Sequence, residues 1–341
     1  MSTIITELPP DSFVRADDTD DAVFYARERM VHHLDSVARS TVEELIGHLI
    51  IEDNPVLLDL MASCDSHIPE SVKPSRVVGL GLNERELASN SALNDFVIHD
   101  LNKNPELPFE EETFDVVLCT VSVDYMTDPR RVFSEVGRIL KPGGMFLVTF
   151  SNRFFQEKVV KIWRHATGRQ RINLVETYFE DSDQFDEPTV FVSRGKPRPA
   201  DDKYAPLGVP SDPVFAVYAE KKGSYGSSRP TISADYDDRP FEWDEVNARK
   251  LDLRNTLECP YCATKLKKVE VPDTPFTEWT SDYMCVCLND ECPYFLFGWD
   301  AMSDQGGSGS YRFMYEPSIQ NCYLLPVSNK TELREYVIED E

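Results

Sequence analysis

Residues 107–150 read LPFEEETFDVVLCTVSVDYMTDPRRVFSEVGRILKPGGMFLVTF, and this stretch decides the fold. Two apolar runs without polar alternation, FDVVLCTVSV (114–123) and MFLVTFSN (145–152), read as strands buried on both faces, as in a parallel sheet. Between them, DPRRVFSEVGRIL (128–140) sets Val132, Val136, Ile139 and Leu140 on one helical stripe. Lys141-Pro142-Gly143-Gly144 closes that helix: Lys141 suits the negative helix end, and Pro-Gly-Gly turns the chain.

Working outward, the pattern repeats. VLLDLM (56–61), SRVVGLGL (75–82) and DFVIHDL (95–101) predict three more strands, with the helical NERELASN after the second. PTVFVSR (188–194) and PVFAVYAEK (213–221) predict a closing antiparallel hairpin. Upstream, Val23, Ala26, Met30 and Leu34, then Val42, Leu45, Ile46 and Leu49, keep helical spacing over residues 20–51, and Pro55 ends it. Strands interleaved with helices imply an α/β sheet covered on both faces. The expected organisation is a flexible N-terminus (1–19), the α/β domain (20–221), a Gly-, Ser- and Pro-containing linker (222–255), a cysteine domain (256–330) and an acidic tail (331–341).

Composition bounds the function. The 341 residues carry a net charge of −25, which repels phosphate backbones and anionic membranes. No apolar run approaches a membrane span, and MSTIITELPPDSF lacks a basic segment leading an apolar one. The expectation is a soluble cytoplasmic protein without nucleic-acid or membrane partners. Of eight cysteines, Cys259, Cys262, Cys285, Cys287 and Cys292 crowd into one short stretch. Cys259-Pro-Tyr-Cys262 and the pair Cys287 and Cys292 form two knuckles that can present four thiolates to Zn²⁺, with Cys285 competing with Cys287 as the third ligand.

Over 107–150, the LPF…FD lead-in, the Asp-Pro helix start and the LKPGG turn together resemble type 11 class I methyltransferases, with weaker resemblance over about 20–221. The resemblance implies a Rossmann-like class I methyltransferase fold that binds S-adenosylmethionine (SAM) at the carboxyl ends of its first strands. That family ends its first strand in Asp-Leu-Gly-x-Gly-x-Gly; here the stretch is Asp59-Leu60-Met61-Ala62-Ser63-Cys64-Asp65, without glycine. Gly81 stands where an acid should grip the ribose, with Asn83 two residues on. The resemblance nominates Asp59, Ser63, Asn83, Asp100, Leu101, Thr120 and Ser122 for the cofactor, and Asp124, Tyr125 and Arg153 for acceptor and chemistry. Ser63 and Ser66 could donate where glycine amides usually do, and His67 follows as a capping or supporting residue. DLMASCDSH (59–67) and GLGLN (79–83) also resemble sequences that carry these stretches in place of the standard motifs, which implies an inherited variant.

CLNDECPYFLFGWDAM and SYRFMYEP, within 287–317, resemble ogr/Delta-like zinc fingers and imply a small zinc-ribbon-like domain with four cysteine ligands. Residues 256–341 hold six Lys and Arg against fifteen Asp and Glu, which disfavours the polyanion contact such fingers suggest. Three function classes follow: a SAM-dependent methyltransferase acting on a small molecule or protein, its zinc domain structural or for recognition; a degenerate methyltransferase fold that serves with the zinc domain as a protein-binding scaffold; and, ranked last on charge, a transcription-associated zinc protein.

Overall fold

The computed structural model describes residues 8–223, 229–230, 243–270, 281, 283–304 and 307–338. The chain divides into two compact units: Met1–Ser193 with Asp212–Asp235, and Arg194–Ser211 with Tyr236–Glu341. None of the described helices is long and apolar enough to cross a membrane.

The first unit is built on seven strands: β1 Val56–Leu60, β2 Arg76–Gly81, β3 Asp95–Ile98, β4 Phe114–Thr120, β5 Leu140–Phe150, β6 Thr189–Ser193 and β7 Val214–Glu220. Their order is β3-β2-β1-β4-β5-β7-β6, parallel except where β7 inserts antiparallel between β5 and β6. This is the Rossmann-like α/β fold expected. Strand order reverses between β1 and β4, so the crevice for a ligand opens at their carboxyl ends. Helices α1 Asp21–Phe24, α2 Ser36–Leu49, α3 Glu84–Ser89, α4 Pro129–Ile139, α5 Lys161–Arg164 and α6 Gly168–Ser182 complete the unit.

Strand alternation sends side chains to two cores. Val42, Leu45, Ile46 and Leu49 of α2 pack with Leu57, Val116, Leu118, Met145 and Leu147 in one apolar cluster. The intervening Phe146 meets Phe133 of α4 at 4.9 Å and Phe179 of α6 at 5.4 Å, in edge-on and tilted geometry.

Three local expectations are corrected. The helical pattern over 20–51 is two helices, because residues 25–35 leave the helix: the Arg29 amide donates to Glu86 Oε1 and its guanidinium stacks near Phe24, Tyr25 and Phe155. Tertiary partners there outweigh propensity. The N-terminal residues from Ser12 onward are pinned, since Lys161 and Ile162 amides donate to Val14 and Ser12 carbonyls and Arg15 grips Asp21; residues 1–7 lie outside the described residues. Lys141 bonds both oxygens of Asp115 at 2.9 and 3.0 Å instead of serving the end of α4, and its Leu-Lys-Pro-Gly-Gly run begins β5.

In the second unit, α7 Trp243–Thr256, β8 Lys267–Glu270, β9 Tyr283–Val286, α8 Pro293–Asp304, β10 Ser310–Glu316 and β11 Asn321–Val327 build an antiparallel sheet ordered β11-β10-β9-β8 with its helices. Part of the expected linker is therefore helix: Val246 and Leu253 of α7 enter the core around the cysteines, while residues 224–228 and 231–242 lie outside the described residues. The expected tail also has structure. Val337 bridges to Val269, and Arg334 holds both oxygens of Asp290 at 2.9 Å; residues 339–341 lie outside the described residues. The excursion Arg194–Ser211 between β6 and β7, which the sequence places in the first domain, belongs to the second unit.

Candidate functional sites

At the carboxyl end of the central strands the backbone turns sharply. Met61 leaves β1 with φ +61° and Val121 leaves β4 with φ +47°. A left-handed backbone at a β-branched residue is a rare strain, and such strain concentrates at ligand sites. Met61 stands where the resemblance expects the first glycine, and its backbone is left-handed. The Val121 amide, donating to the Thr149 carbonyl at 2.8 Å, holds the second turn. A Cβ on Gly81 would lie 2.4 Å from the Ala62 carbonyl oxygen, and the Ala62 amide bonds the Leu80 carbonyl. The loop after β1 thus lies against the end of β2, and only glycine fits where an acid was expected.

Around these turns stand buried acids. Asp59 ends β1, 3% exposed, and burial raises its carboxyl to about 7, against a hydrogen bond from Ser66. Asp124, 2% exposed in the short turn Val123–Tyr125, is raised to about 8, again by burial. Asp59 Oδ2, Asp124 Oδ2, Asp100 Oδ2 and Thr149 Oγ1 are all buried without a hydrogen-bond partner. Lys103 Nζ stands 3.7 Å from Asp100 Oδ2, and Asp100 otherwise caps the turn through the Asn102 and Lys103 amides. Leu101 is buried beside it, and the Ser122 hydroxyl donates to the Thr120 carbonyl. Partnerless buried acceptors at the ends of β1, β4 and β5 are costly unless a donor completes them. SAM, with its ammonium, hydroxyl and amino donors and its sulfonium cation, is a group of fitting chemistry.

Other nominated residues are already engaged. Asn83 caps α3, its Oδ1 accepting from the Arg85 and Glu86 amides while its Nδ2 donates to the Tyr25 and Ala26 carbonyls. Ser63 donates to Glu86 Oε2 at 2.6 Å, and Ser66 accepts from Asn90. His67, at φ +54°, stands with Nδ1 3.3 Å from Asp65, and His32 flanks the same carboxylate at 3.4 Å. The Tyr125 hydroxyl accepts from the Phe155 amide at 2.8 Å and supports Asp124; burial raises its pKa well above the ordinary tyrosine value. Arg153 pairs with Asp212 at 3.1 Å.

The sequence did not single out the network beneath the N-terminal segment. Lys158 is fully buried, bonding the Thr19 carbonyl at 2.7 Å and Asp21 at 3.1 Å. Asn102 Nδ2 bridges Asp21 and the Tyr125 carbonyl. The surrounding stretch, QEKVV (156–160), carries no signal for it, since Gln156 and Glu157 make the lysine look like part of an ordinary solvated face.

In the second unit, the sulfur atoms of Cys259, Cys262, Cys287 and Cys292 lie within 4.8 Å of one another, with Cys259–Cys292 at 3.9 Å and Cys262–Cys287 at 3.6 Å. A tetrahedral Zn²⁺ with bonds of about 2.3 Å needs sulfurs about 3.8 Å apart, whereas a disulfide needs about 2 Å. Cys285, the competing third ligand, sits in β9 opposite Lys268 and Tyr315. Arg312, buried under the second knuckle, donates to the Cys287 carbonyl at 3.1 Å and to Asp290 at 2.6 Å.

Residues 64–148 match the family described as "Methyltransferase domain". The chain is similar to the sterol 4-C-methyltransferase strm-1 of Caenorhabditis elegans, 44% identical over 43 residues, covering 13% of each chain. It is also similar to the 27-O-demethylrifamycin SV methyltransferase of Amycolatopsis mediterranei, 26% identical over 121 residues, covering 33% of this chain and 44% of that one. The chain thus spans less than half the length of either curated relative. Among solved structures, a SAM-dependent methyltransferase of Thermotoga maritima matches 56% of this chain and 91% of its own at 15% identity and TM-score 0.40. Residues 64–148 thus carry the sequence pattern of a methyltransferase domain, on a sheet of Rossmann-like order in the first unit.

Proposed function

We propose that the first unit binds SAM at the carboxyl ends of β1, β3 and β4 and transfers its methyl group to an acceptor, a small molecule or a protein. The observation that carries this is the pair of buried carboxylates with partnerless oxygens, Asp59 and Asp124, at the crevice where strand order reverses. When bound, SAM would supply a methyl group on a positively charged sulfur that an acceptor nucleophile can displace. Asp59 and Asp100 would accept hydrogen bonds from it, with Leu101, Thr120 and Ser122 lining the adenosine side. Ser63 and Asn83 would act indirectly, fixing the loop after β1 and the start of α3. Asp124, supported by Tyr125, would hold or take a proton at Oδ2, and Arg153 would face the acceptor. A bound cation lowers a neighbouring carboxyl, so binding near neutral pH should release protons from Asp59 and Asp124.

For the second unit, we propose a structural Zn²⁺ held by Cys259, Cys262, Cys287 and Cys292, its surplus aromatic surface serving recognition of a protein partner. The acidic surface argues against nucleic acid and against anionic membranes, and the reading is of a cytoplasmic protein.

One observation favours the scaffold reading. The Ala62 carbonyl against Gly81 removes the ribose acid, and Asn83 is engaged as a cap. Titration of the zinc-loaded protein with SAM and with its demethylated product separates the two. Saturable binding followed by methyl transfer in an acceptor screen supports the enzyme, and no binding at millimolar ligand leaves the scaffold.

A further inference from the structure

Arg29, in the first unit, sits among three aromatic faces. Its guanidinium carbon lies 4.6 Å from the centroid of the Phe24 ring, 5.2 Å from that of Phe155 and 5.5 Å from that of Tyr25, all within reach of a cation–π contact. The Phe24 ring stands at 80° to Tyr25 and at 71° to Phe155, so the rings form walls and not a stack. The guanidinium nitrogens donate to the Arg27 and Phe24 carbonyls, both at 3.1 Å. The chain carries 60 acidic residues, yet among the described residues no carboxylate pairs with this guanidinium. A cation held by π faces instead of an acid, in so acidic a chain, marks a place shaped for an organic cation.

The walls have holds of their own. The Tyr25 amide donates to the Asp21 carbonyl at 2.8 Å, and the Tyr25 carbonyl accepts from Asn83 at 2.9 Å. The ammonium of the buried Lys158 lies 5.2 Å from the Phe24 centroid, and the Phe155 amide donates to the Tyr125 hydroxyl at 2.8 Å. The Arg29 amide donates to Glu86 Oε1 at 2.6 Å, a bond that a change of its side chain leaves in place. Phe24, Tyr25, Arg29 and Phe155 are half-buried, so solvent reaches the cage. The cage also adjoins the proposed chemistry. The Phe155 and Tyr125 rings are 5.9 Å apart, and Tyr125 shares a short turn with Asp124, whose Oδ2 is buried without a hydrogen-bond partner. The Val160 amide donates to the Asp124 carbonyl at 3.0 Å and ties that turn to the segment carrying Phe155.

We propose that Phe24, Tyr25 and Phe155 form a subsite for an organic cation, a guanidinium or alkylammonium group carried by the methyl acceptor, and that Arg29 fills it as an internal stand-in until the acceptor displaces it. The acceptor's role rests on the methyltransferase reading, whereas the cage does not. Displacement exchanges one cation for another on the same rings, and the Arg29 side chain moves into water. The net charge of −25 draws cationic acceptors toward the protein.

The test is titration of the full, zinc-loaded chain and of Arg29→Ala with methylguanidinium, followed by NMR of labelled Phe and Tyr rings. Its neutral isostere, methylurea, is the control. Arg29→Ala should bind methylguanidinium at least tenfold more tightly than the parent and methylurea not at all, and adding Phe155→Ala should abolish the gain. Binding no tighter than the parent's would overturn the cage and leave Arg29 a packing residue. Arg29→Gln, which keeps a donor for the Phe24 carbonyl, repeats the test if the alanine variant unfolds. In an acceptor screen with SAM, the parent should methylate cationic compounds at least tenfold faster than neutral isosteres, and equal rates would overturn the acceptor assignment. SAM titration of the same samples reports separately on the methyltransferase reading: a variant that gains methylguanidinium but binds no SAM would end that reading and leave the cage standing.

Discussion

The two units handle buried charge in opposite ways. In the second, four thiols from two knuckles converge on one point, and their spacing of 3.6 and 3.9 Å already matches a tetrahedral cation. In the first, the acids stand apart at the ends of β1, β3 and β4, and Asp59 and Asp124 are each buried with an oxygen lacking a partner. Convergence at a point describes a small ion. Dispersal along a crevice describes an extended ligand that reaches several donors at once. The comparison also predicts how strongly each site depends on its ligand: the proposed zinc would hold the second unit together, whereas the carboxylates sit on a sheet with its own core.

Metal removal should break the comparison most visibly. Chelation, or Cys292→Ser, is expected to unfold α7 to β11, since zinc binding in small thiolate domains supplies about 10–16 kcal/mol of apparent folding energy. β1–β7 should remain, so circular dichroism with exchange mapping should show one unit lost and one kept. A unit that stays folded without metal would remove the distinction.

Next is Gly81→Asp, which restores the acid of the standard motif. Because its Cβ would meet the Ala62 carbonyl at 2.4 Å, the variant should be less stable by about 3 kcal/mol and should bind SAM no better, as read by urea unfolding and calorimetry. Tighter binding would show that the loop after β1 yields to the ligand.

A third test uses pH. Asp59 and Asp124 have folded-state values of about 7 and about 8, against about 3.9 for an unfolded aspartate. Between those values the native state holds protons that the unfolded state has released. These two groups therefore favour folding fully below about pH 4 and lose that contribution as pH rises through 7 to 8. Asp59→Asn should flatten this decline, leaving the protein about 1–2 kcal/mol more stable than the parent at pH 8 while weakening SAM binding at least tenfold. Thermal melts from pH 5 to 8.5 give the first answer, and an unchanged slope would contradict the burial of a protonated Asp59.

The smallest effect belongs to Met61→Gly. Relieving a left-handed backbone at a residue with a Cβ should add about 1 kcal/mol in urea unfolding, and a loss of stability would show that the Met61 side chain is held by contacts that outweigh its turn.

Much of this was legible in the chain. Every strand from Val56 to Glu220 was visible as an apolar run, because a sheet covered on both faces leaves no polar alternation to confuse it. The thiol set was visible because knuckle ligands are close in sequence. The cofactor edge was less so. Asp59 and Asp124 could be named from strand ends, but the role of Asn83 as a cap depends on α3, and the engagement of Arg153 depends on Asp212, 59 residues away. Lys158 and Asp21 meet across more than 130 residues, and no local pattern encodes that. The assignment of residues 194–211 to the second unit was invisible for the same reason.

The measurement that bears most directly on the central claim is calorimetric titration of the zinc-loaded protein with SAM at pH 7, in two buffers of different ionisation enthalpy. The account predicts saturable binding with proton release, seen as a buffer-dependent heat, at least tenfold weaker in Asp59→Asn, and a gain of roughly 2.7 kcal/mol in stability at about 100 times the dissociation constant. No heat and no stabilisation at millimolar SAM, with the second unit fully metallated, would contradict it.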